Sequence, residues 1–584
     1  MTLKKFLFTI IVVTGLLFSC NTKPKRAKNV KLRMIQTTDV HGSIFPYDFI
    51  RNKETNNSLA SVYTYVQKQR ANKDIETILL DNGDILQGQP VVYYSNFESA
   101  DNEHICASVM NFMGYDAATI GNHDIEAGHE VYDKINKEFK FPWLAANAID
   151  KKTREPYFKA YTIINRKGLK IAVLGLITPA IPNWLPENIW EGIKFEDMVV
   201  SAKKWIKIIK KNEKPDLIVG MFHSGVDFTY GNQTDTTFKN ENATRLVAEQ
   251  VPGFDIVFAG HDHQEYNLWF KSSDSSDVLL LDPRSYAKYV AVADIEFTWN
   301  KNQDKYDKII KGDIVKTENI EADSTFLAKF EEYVEEVKNY VNHEIGFISK
   351  SISSRKALFG NSEFVDLIHK IQLEISGADI SFTAPLNYDA EIKSGPVYVR
   401  DMFNLYRFEN LLYTMNLNGN EIKDYLEFST DLWFNEMTSE NDNLIKMKKT
   451  HDGKQRLASA YYNFSSAAGI DYSINLKGEK GNRVNITGLS NGDKFELAKK
   501  YTVAINSYRG NGGGGHLIEG AGILKSQLAA RIITSTDKDL RYYMIKWIEK
   551  NKTITPEKYD NWQLTPKKWW EKAKAKDIKI LFPD

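Results

Sequence analysis

The sequence predicts an α/β protein of two domains, and three observations carry that prediction. Strand-length apolar runs alternate with amphipathic stretches through residues 31–317, the pattern gives way near Glu321 to a long charged helix, and 584 residues exceed what one hydrophobic core holds together. Taken in order, the runs at 77–80, 171–176, 217–222 and 256–259 read as buried strands, because continuous apolar runs suit a sheet covered on both faces. The stretch 199–211 has helical spacing and would cover such a sheet. The first domain is expected over 30–320. Within 321–345, Phe326, Phe330, Tyr333, Val334, Val337 and Val341 share one helical stripe, which predicts a linker helix between the domains. Residues 346–584 mix helical segments at 361–376 and 420–428 with aromatic-rich strands, so an α+β second domain is expected, with Trp562, Trp569 and Trp570 stapling the C-terminus onto it.

Lys plus Arg equals Asp plus Glu at 76 each, so no net field favours a nucleic-acid polymer or an anionic lipid surface. A small, locally held substrate is expected, and no protein partner is implied. At the N-terminus, Lys4 and Lys5 precede an apolar stretch at 6–18 that is short for a membrane span, as in a signal peptide covering 1–20. Leu17-Phe18-Ser19-Cys20 resembles the bacterial lipobox, so Cys20 is expected to be lipidated and to anchor an extracytoplasmic protein by its acyl chains alone, with the polar residues 21–29 as a tether. That leaves Cys106, in the helix-like stretch 104–112, without a disulfide partner and reads it as a core residue.

Five short polar clusters follow apolar runs: Asp39-Val40-His41, Gly83-Asp84, Gly121-Asn122-His123-Asp124, His223, and Gly260-His261-Asp262-His263. Nitrogen and oxygen donors gathered at one end of successive buried strands can hold two divalent cations, which make a nucleophile from water and spread phosphoryl charge. Asp84 is the expected bridge between the ions, since Gly83 lets the backbone turn sharply after its strand. Asp39 and His41, spaced i and i+2, grip one ion, to which His263 returns; Asn122, His223 and His261 hold the other. Without thiolates the set suits Zn, Mn, Co or Fe. His123, beside Asn122, is placed to donate to a phosphoryl oxygen or the leaving group. His104, His129, His343, His369, His451 and His516 are read as hydrogen-bonded core or surface residues.

On these strings the N-terminal half resembles the calcineurin-like metallophosphoesterases. The chain from about Lys31 onward is similar to the bacterial 5′-nucleotidase and 2′,3′-cyclic-nucleotide 2′-phosphodiesterase/3′-nucleotidase superfamily. The resemblance implies a four-layer metallophosphoesterase β-sandwich flanked by helices, then an α+β substrate-binding domain that supplies a nucleotide pocket. Tyr462-Asn463-Phe464-Ser465 and Asn506-Ser507-Tyr508-Arg509 match the family's aromatic strings, which points to Phe464 and Tyr508 as the pair that sandwiches the base. The glycine run at 512–515 is expected to be a close-approach loop beside it. Relatives also rotate the second domain, with 326–343 as the hinge region here.

Three departures refine this. Thr383-Ala384-Pro385-Leu386-Asn387 lacks the phosphate-binding Arg of the 5′-nucleotidases, Gly514 stands where they carry a ribose-binding Asp, and Glu126 replaces the Asp that orients the catalytic His. The first two favour the cyclic phosphodiesterase/3′-nucleotidase branch, and the third gives Glu126 the role of orienting His123. A 5′-nucleotidase or other phosphomonoesterase is the alternative, and a catalytically inactive nucleoside-binding surface lipoprotein the alternative of another class. No Gly-x-Ser-x-Gly elbow points to a serine hydrolase.

Overall fold

The computed structural model describes residues 27–449 and 453–583, so the expected signal peptide with Cys20, most of the expected tether and the reading of His451 lie outside the described residues. Two six-stranded sheets form the first domain. In the first, the order is Lys305–Lys316, Tyr289–Asn300, Asn29–Thr37, Glu76–Asp81, Ala117–Thr119 and Trp143–Leu144; in the second, it is Glu265–Lys271, Asp277–Pro283, Ile256–Phe258, Leu217–His223, Leu169–Ile177 and Tyr161–Arg166.

The sheets pack face to face because alternate residues of each strand are apolar on the inner side. Leu32, Met34, Ile78 and Leu80 of one sheet join Val173, Val219, Met221 and Phe258 of the other in a single buried cluster. Each such side chain contributes about 1.5–3 kcal/mol by burial. Helices Leu59–Ala71, Ile105–Met113 and His129–Glu138 bury apolar faces in the cluster outside the first sheet, and Met198–Asn212 and Thr244–Gln250 do so outside the second. The layers therefore run helix, sheet, sheet, helix. Cys106, in the Ile105–Met113 helix, is buried in this packing.

Topology then decides where chemistry can sit. Asn29–Thr37 runs parallel to Glu76–Asp81, and Leu217–His223 runs parallel to Leu169–Ile177 and to Ile256–Phe258. Parallel neighbours end at the same edge, so the loops that follow them converge. The five polar clusters lie in or beside those loops.

Helix Ser324–Val341 starts at Asp323, whose Oδ1 accepts from the backbone N–H groups of Thr325 and Phe326, both at 2.9 Å. Its Phe326, Phe330, Val337 and Val341 are buried in the same cluster as Phe45, Val62 and Val109. The helix expected to be a hinge is thus fastened to the first domain.

The second domain is built on a five-stranded sheet ordered Ser466–Ala468, Ile380–Thr383, Lys500–Asn506, Leu412–Asn418 and Ile532–Ser535. Helix Gly419–Trp433 packs on it, started by a capping box in which Asn418 and Glu421 each accept the other's backbone N–H. At the C-terminus Trp562 stacks on Tyr472 at 5.7 Å, and Trp570 Nε1 donates to Phe359 O at 2.7 Å.

Several contacts join the domains, among them two hydrogen bonds. Tyr93 of the first domain donates to Asp539 Oδ2 at 2.9 Å, and Arg407 Nη2 of the second donates to Tyr286 Oη at 2.8 Å. Among the described residues no helix is long and apolar enough to cross a membrane.

Candidate active site

Five of the seven proposed donors share a rare backbone state. Asp39, His41, Asp84, His261 and His263 have φ of 49°, 47°, 59°, 81° and 58°, the left-handed region that costs a non-glycine residue about 1–3 kcal/mol. Backbone hydrogen bonds hold the conformation: Asp39 N–H donates to Gly83 O at 2.9 Å, and His41 N–H to Asp84 O at 3.0 Å. Gly83 is required here, since its φ is +93° and a Cβ would come within 2.6 Å of the Gly121 nitrogen.

Two groups of donors result. Asp39, His41 and His263 form one, with His263 Nε2 3.2 Å from Asp39 Oδ1 and 3.0 Å from His41 Nε2. Asp84, His223 and His261 form the other, with His223 Nε2 3.2 Å from Asp84 Oδ2. Asn122 joins the second group, its Oδ1 2.7 Å from His261 Nδ1 and 3.1 Å from His223 Nε2. Asp84 Oδ2 also lies 4.0 Å from His41 Nε2, so one carboxylate reaches both groups.

This arrangement fits a pair of divalent cations. The lone-pair atoms of His41 and His263 face each other beside Asp39, and one amide oxygen faces two imidazole nitrogens, so the donors converge on points between them. The far sides of the rings are fixed from behind: His41 Nδ1 meets Gln87 O at 3.1 Å and His223 Nδ1 meets Asn82 O at 2.6 Å, which turns both Nε2 atoms inward. Electrostatics follow. Burial opposes charge on Asp84, yet His223 and His123 hold it well below the usual carboxylate range. His223 is raised to about 10 against its burial, chiefly by Asp84, while burial and then His263 push His41 down to about 3.

Beside the second group, His123 N–H donates to Asp84 Oδ1 at 2.8 Å and its ring Nδ1 meets Glu126 Oε2 at 2.5 Å. Glu126, longer than the Asp of relatives, therefore reaches the ring from i+3 on the short helix Asn122–Glu126. Burial works against charge on His123, but Asp84 and Glu126 outweigh it and raise it to about 9.

Two residues without an assigned role in the sequence reading prove structural keystones. Asp124 accepts four backbone N–H groups: Asp84 at 2.9 Å and Gly121 at 2.7 Å on one oxygen, Ile85 at 2.8 Å and Leu86 at 3.0 Å on the other. It locks the Asp84 loop to the Asn122 helix, and the signal was present as an acidic residue at the third helical position, Asp124, whose carboxylate accepts the backbone N–H of Gly121 just before the helix. Glu241 Oε1 lies 3.4 Å from His261 Nε2, and Trp184 stacks on the same ring at 5.6 Å, so both set its orientation. Nothing local in the sequence links position 241 to position 261.

A cleft of about 710 Å³ runs from His123 and His261 into the second domain, where Tyr462 and Tyr508 line it. Phe464 does not. It is 2% exposed, lies nearly parallel to Trp433 at 5.7 Å and packs against Phe434 and Trp562 in the second domain's core. The expectation that Phe464 faces the base is therefore corrected: a 3₁₀ turn at Tyr461–Asn463 sends Tyr462 into the cleft and Phe464 behind it. Arg509 ties the two aromatic strings together, donating to Tyr462 O at 2.6 Å and to Gly513 O at 2.8 Å. Its guanidinium explains Gly514, because a Cβ there would overlap Arg509 Nη1.

A paired cation centre at the strand ends of an α/β sandwich, open to a substrate cleft, defines a metal-dependent phosphoester hydrolase. The calcineurin-like phosphoesterase family matches residues 32–265, and the 5′-nucleotidase C-terminal domain family matches residues 344–519. The chain belongs to the metallophosphoesterases that join these two domains. It is 26% identical over 608 aligned residues to the trifunctional nucleotide phosphoesterase protein YfkN of Bacillus subtilis, covering 92% of this chain but only 39% of that protein's length. It is 24% identical to a 2′,3′-cyclic-nucleotide 2′-phosphodiesterase/3′-nucleotidase of Haemophilus influenzae, covering 93% of this chain and 88% of that one. In fold it matches a crystal structure of a Staphylococcus aureus 5′-nucleotidase with a TM-score of 0.76 at 21% identity, over 91% of this chain and 99% of that one.

Proposed function

We propose that the protein hydrolyses nucleotide phosphoesters, with 2′,3′-cyclic nucleotides and 3′-nucleotides as its preferred substrates. The observation that carries this reading is one continuous cleft that reaches the donor groups at Asn122 and His261 and has the Tyr462 and Tyr508 rings at its other end. Asp39, His41 and His263 would hold one cation, Asn122, His223 and His261 the other, and Asp84 both. Bound there, two divalent ions of Zn, Mn, Co or Fe lower the pKa of water and neutralise phosphoryl charge.

The chain's own residues do the rest. His123, oriented by Glu126, donates to a phosphoryl oxygen or the leaving oxygen as charge builds there. Tyr462 and Tyr508 stack on the base, which contributes ~1–3 kcal/mol per base and tolerates any base. The cyclic preference follows from residues 383–387, which carry no Arg, and from Gly514, whose place beside Arg509 leaves no room for a ribose-binding carboxylate. The proposal includes domain limits at 30–320 and 346–584 and an extracytoplasmic location through lipid on Cys20.

Released phosphate from 2′,3′-cyclic AMP, 3′-AMP and 5′-AMP, assayed with Mn, Co and Zn, tests the substrate assignment; turnover of 5′-AMP alone would overturn it. The two aromatic positions separate in a pair of variants. Tyr462→Ala is expected to raise KM about tenfold or more with thermal stability unchanged. Phe464→Ala is expected to lower stability by about 3–5 kcal/mol in denaturant titrations. For the metal centre, Glu241→Gln is expected to weaken cation binding about tenfold in calorimetric titration, because it loosens the hold on His261.

A further inference from the structure

Of the acidic side chains that line the cleft, Glu409 has no role in the metal centre or in orienting His123 and His261. Glu409 is 8% exposed and lines the cleft together with Asn122, His123 and Glu126 of the first domain. Among the described residues its carboxylate makes no hydrogen bond, and its ion-pair partner, Arg541 Nη1, stands off at 3.8 Å.

Arg541 is itself immobilised. It is fully buried, donates from Nε to Tyr406 O at 3.2 Å and from Nη2 to Arg407 O at 2.8 Å, and lies 4.0 Å from the Phe403 ring centre and 4.8 Å from that of Tyr93. It can steady Glu409 from behind without satisfying its oxygens. A buried carboxylate lacking hydrogen bonds is costly unless a further donor reaches it, and the open side is the cleft.

The position of Glu409 says which donor. Its neighbour Phe408 meets Tyr462 edge-on at 5.8 Å, which places the segment against the base end. On the other side it feels the catalytic end: burial pushes Glu409 up to about 8, Arg541 pulls it back, and Glu126 adds to the push. Between a stacked base and a phosphoryl group lies the sugar.

The geometry points to Glu409 as a specificity-determining residue that accepts a hydrogen bond from the one free sugar hydroxyl of a 2′,3′-cyclic nucleotide, the 5′-hydroxyl. This rests on the nucleotide reading above. In a 2′,3′-cyclic nucleotide the phosphate engages both other ribose hydroxyls, so the 5′-hydroxyl is the one left to read. Stacking tolerates any base and says nothing about the sugar. A buried acceptor rejects an analogue that lacks its donor.

The test compares 2′,3′-cyclic AMP with its 5′-deoxy analogue in the full-length metal-loaded enzyme, with bis(p-nitrophenyl) phosphate as a nucleotide-free control. Wild type is expected to lose about 10- to 100-fold in kcat/KM when the 5′-hydroxyl is removed. Glu409→Ala is expected to treat the two nucleotides alike, each rate being taken relative to the variant's own turnover of the control. Glu409→Gln, which keeps the shape and a neutral acceptor, is expected to show a reduced penalty, and it decides the matter if the alanine variant does not fold. An undiminished penalty in these variants, or no penalty in wild type, overturns the inference. Wild-type turnover of the control with no nucleotide hydrolysed would instead overturn the nucleotide reading, and this inference with it.

Discussion

Asp84→Asn is expected to lower kcat for phosphoester hydrolysis about 10³-fold or more and to reduce the bound metal below two equivalents. The substitution keeps size and shape, so the first domain should remain folded. What it removes is charge at the carboxylate that reaches both donor groups, with Oδ2 3.2 Å from His223 Nε2 and 4.0 Å from His41 Nε2. Placing two cations close together requires an anion between them to offset their repulsion, and the pair contributes several kcal/mol to stabilising the transition state, with each 1.36 kcal/mol worth tenfold. The other Asp84 oxygen accepts the His123 N–H at 2.8 Å, so its replacement also loosens the start of the catalytic helix. Metal content by plasma mass spectrometry and initial rates on 3′-AMP check both claims. Two retained equivalents with activity within tenfold of wild type would exclude a bridging role.

His123→Ala is expected to cost about 10²–10³-fold in kcat, with metal content and KM close to wild type. The ring lies outside both donor groups and touches Asp84 through its backbone N–H rather than its side chain, so its loss leaves the cation ligands in place. A single well-aimed donor to developing phosphoryl charge is worth that much. Glu126 is expected to act only through this ring, which it meets at Nδ1. Glu126→Gln should therefore reduce kcat about tenfold in the wild type and add nothing in the His123→Ala background, a coupling that a double-mutant cycle reads directly. Equal losses in both backgrounds would show that Glu126 works independently of His123.

The metal centre was legible in the sequence because each donor is tied to a local signal. Asp39, Asp84, Asn122 and His261 each follow a strand-forming run, and in a parallel sheet the ends of such runs meet at one edge. The order of the clusters along the chain therefore translated into proximity. Even the short helix that holds His123 over Glu126 could be read from spacing, since i and i+3 share a helix face. The substrate end was less legible. The string around Phe464 identified the right segment, but whether residue 462 or 464 enters the cleft depends on the turn at Tyr461–Asn463 and on the apolar surface waiting behind it, formed by Trp433, Phe434 and Trp562 from distant parts of the chain.

Strand ends, donor types and helix spacing are local properties, so the two-domain α/β architecture, the class of reaction and the presence of two donor groups could be read from the chain alone. Long-range packing sets the rest: Tyr462 rather than Phe464 faces the cleft, Asp124 and Glu241 brace the ligands, the 324–341 helix packs against the first domain, and Glu409 lines the cleft. Those outcomes rest on contacts between residues tens to hundreds of positions apart, and such contacts exist only once the sheets have packed and the two domains have met.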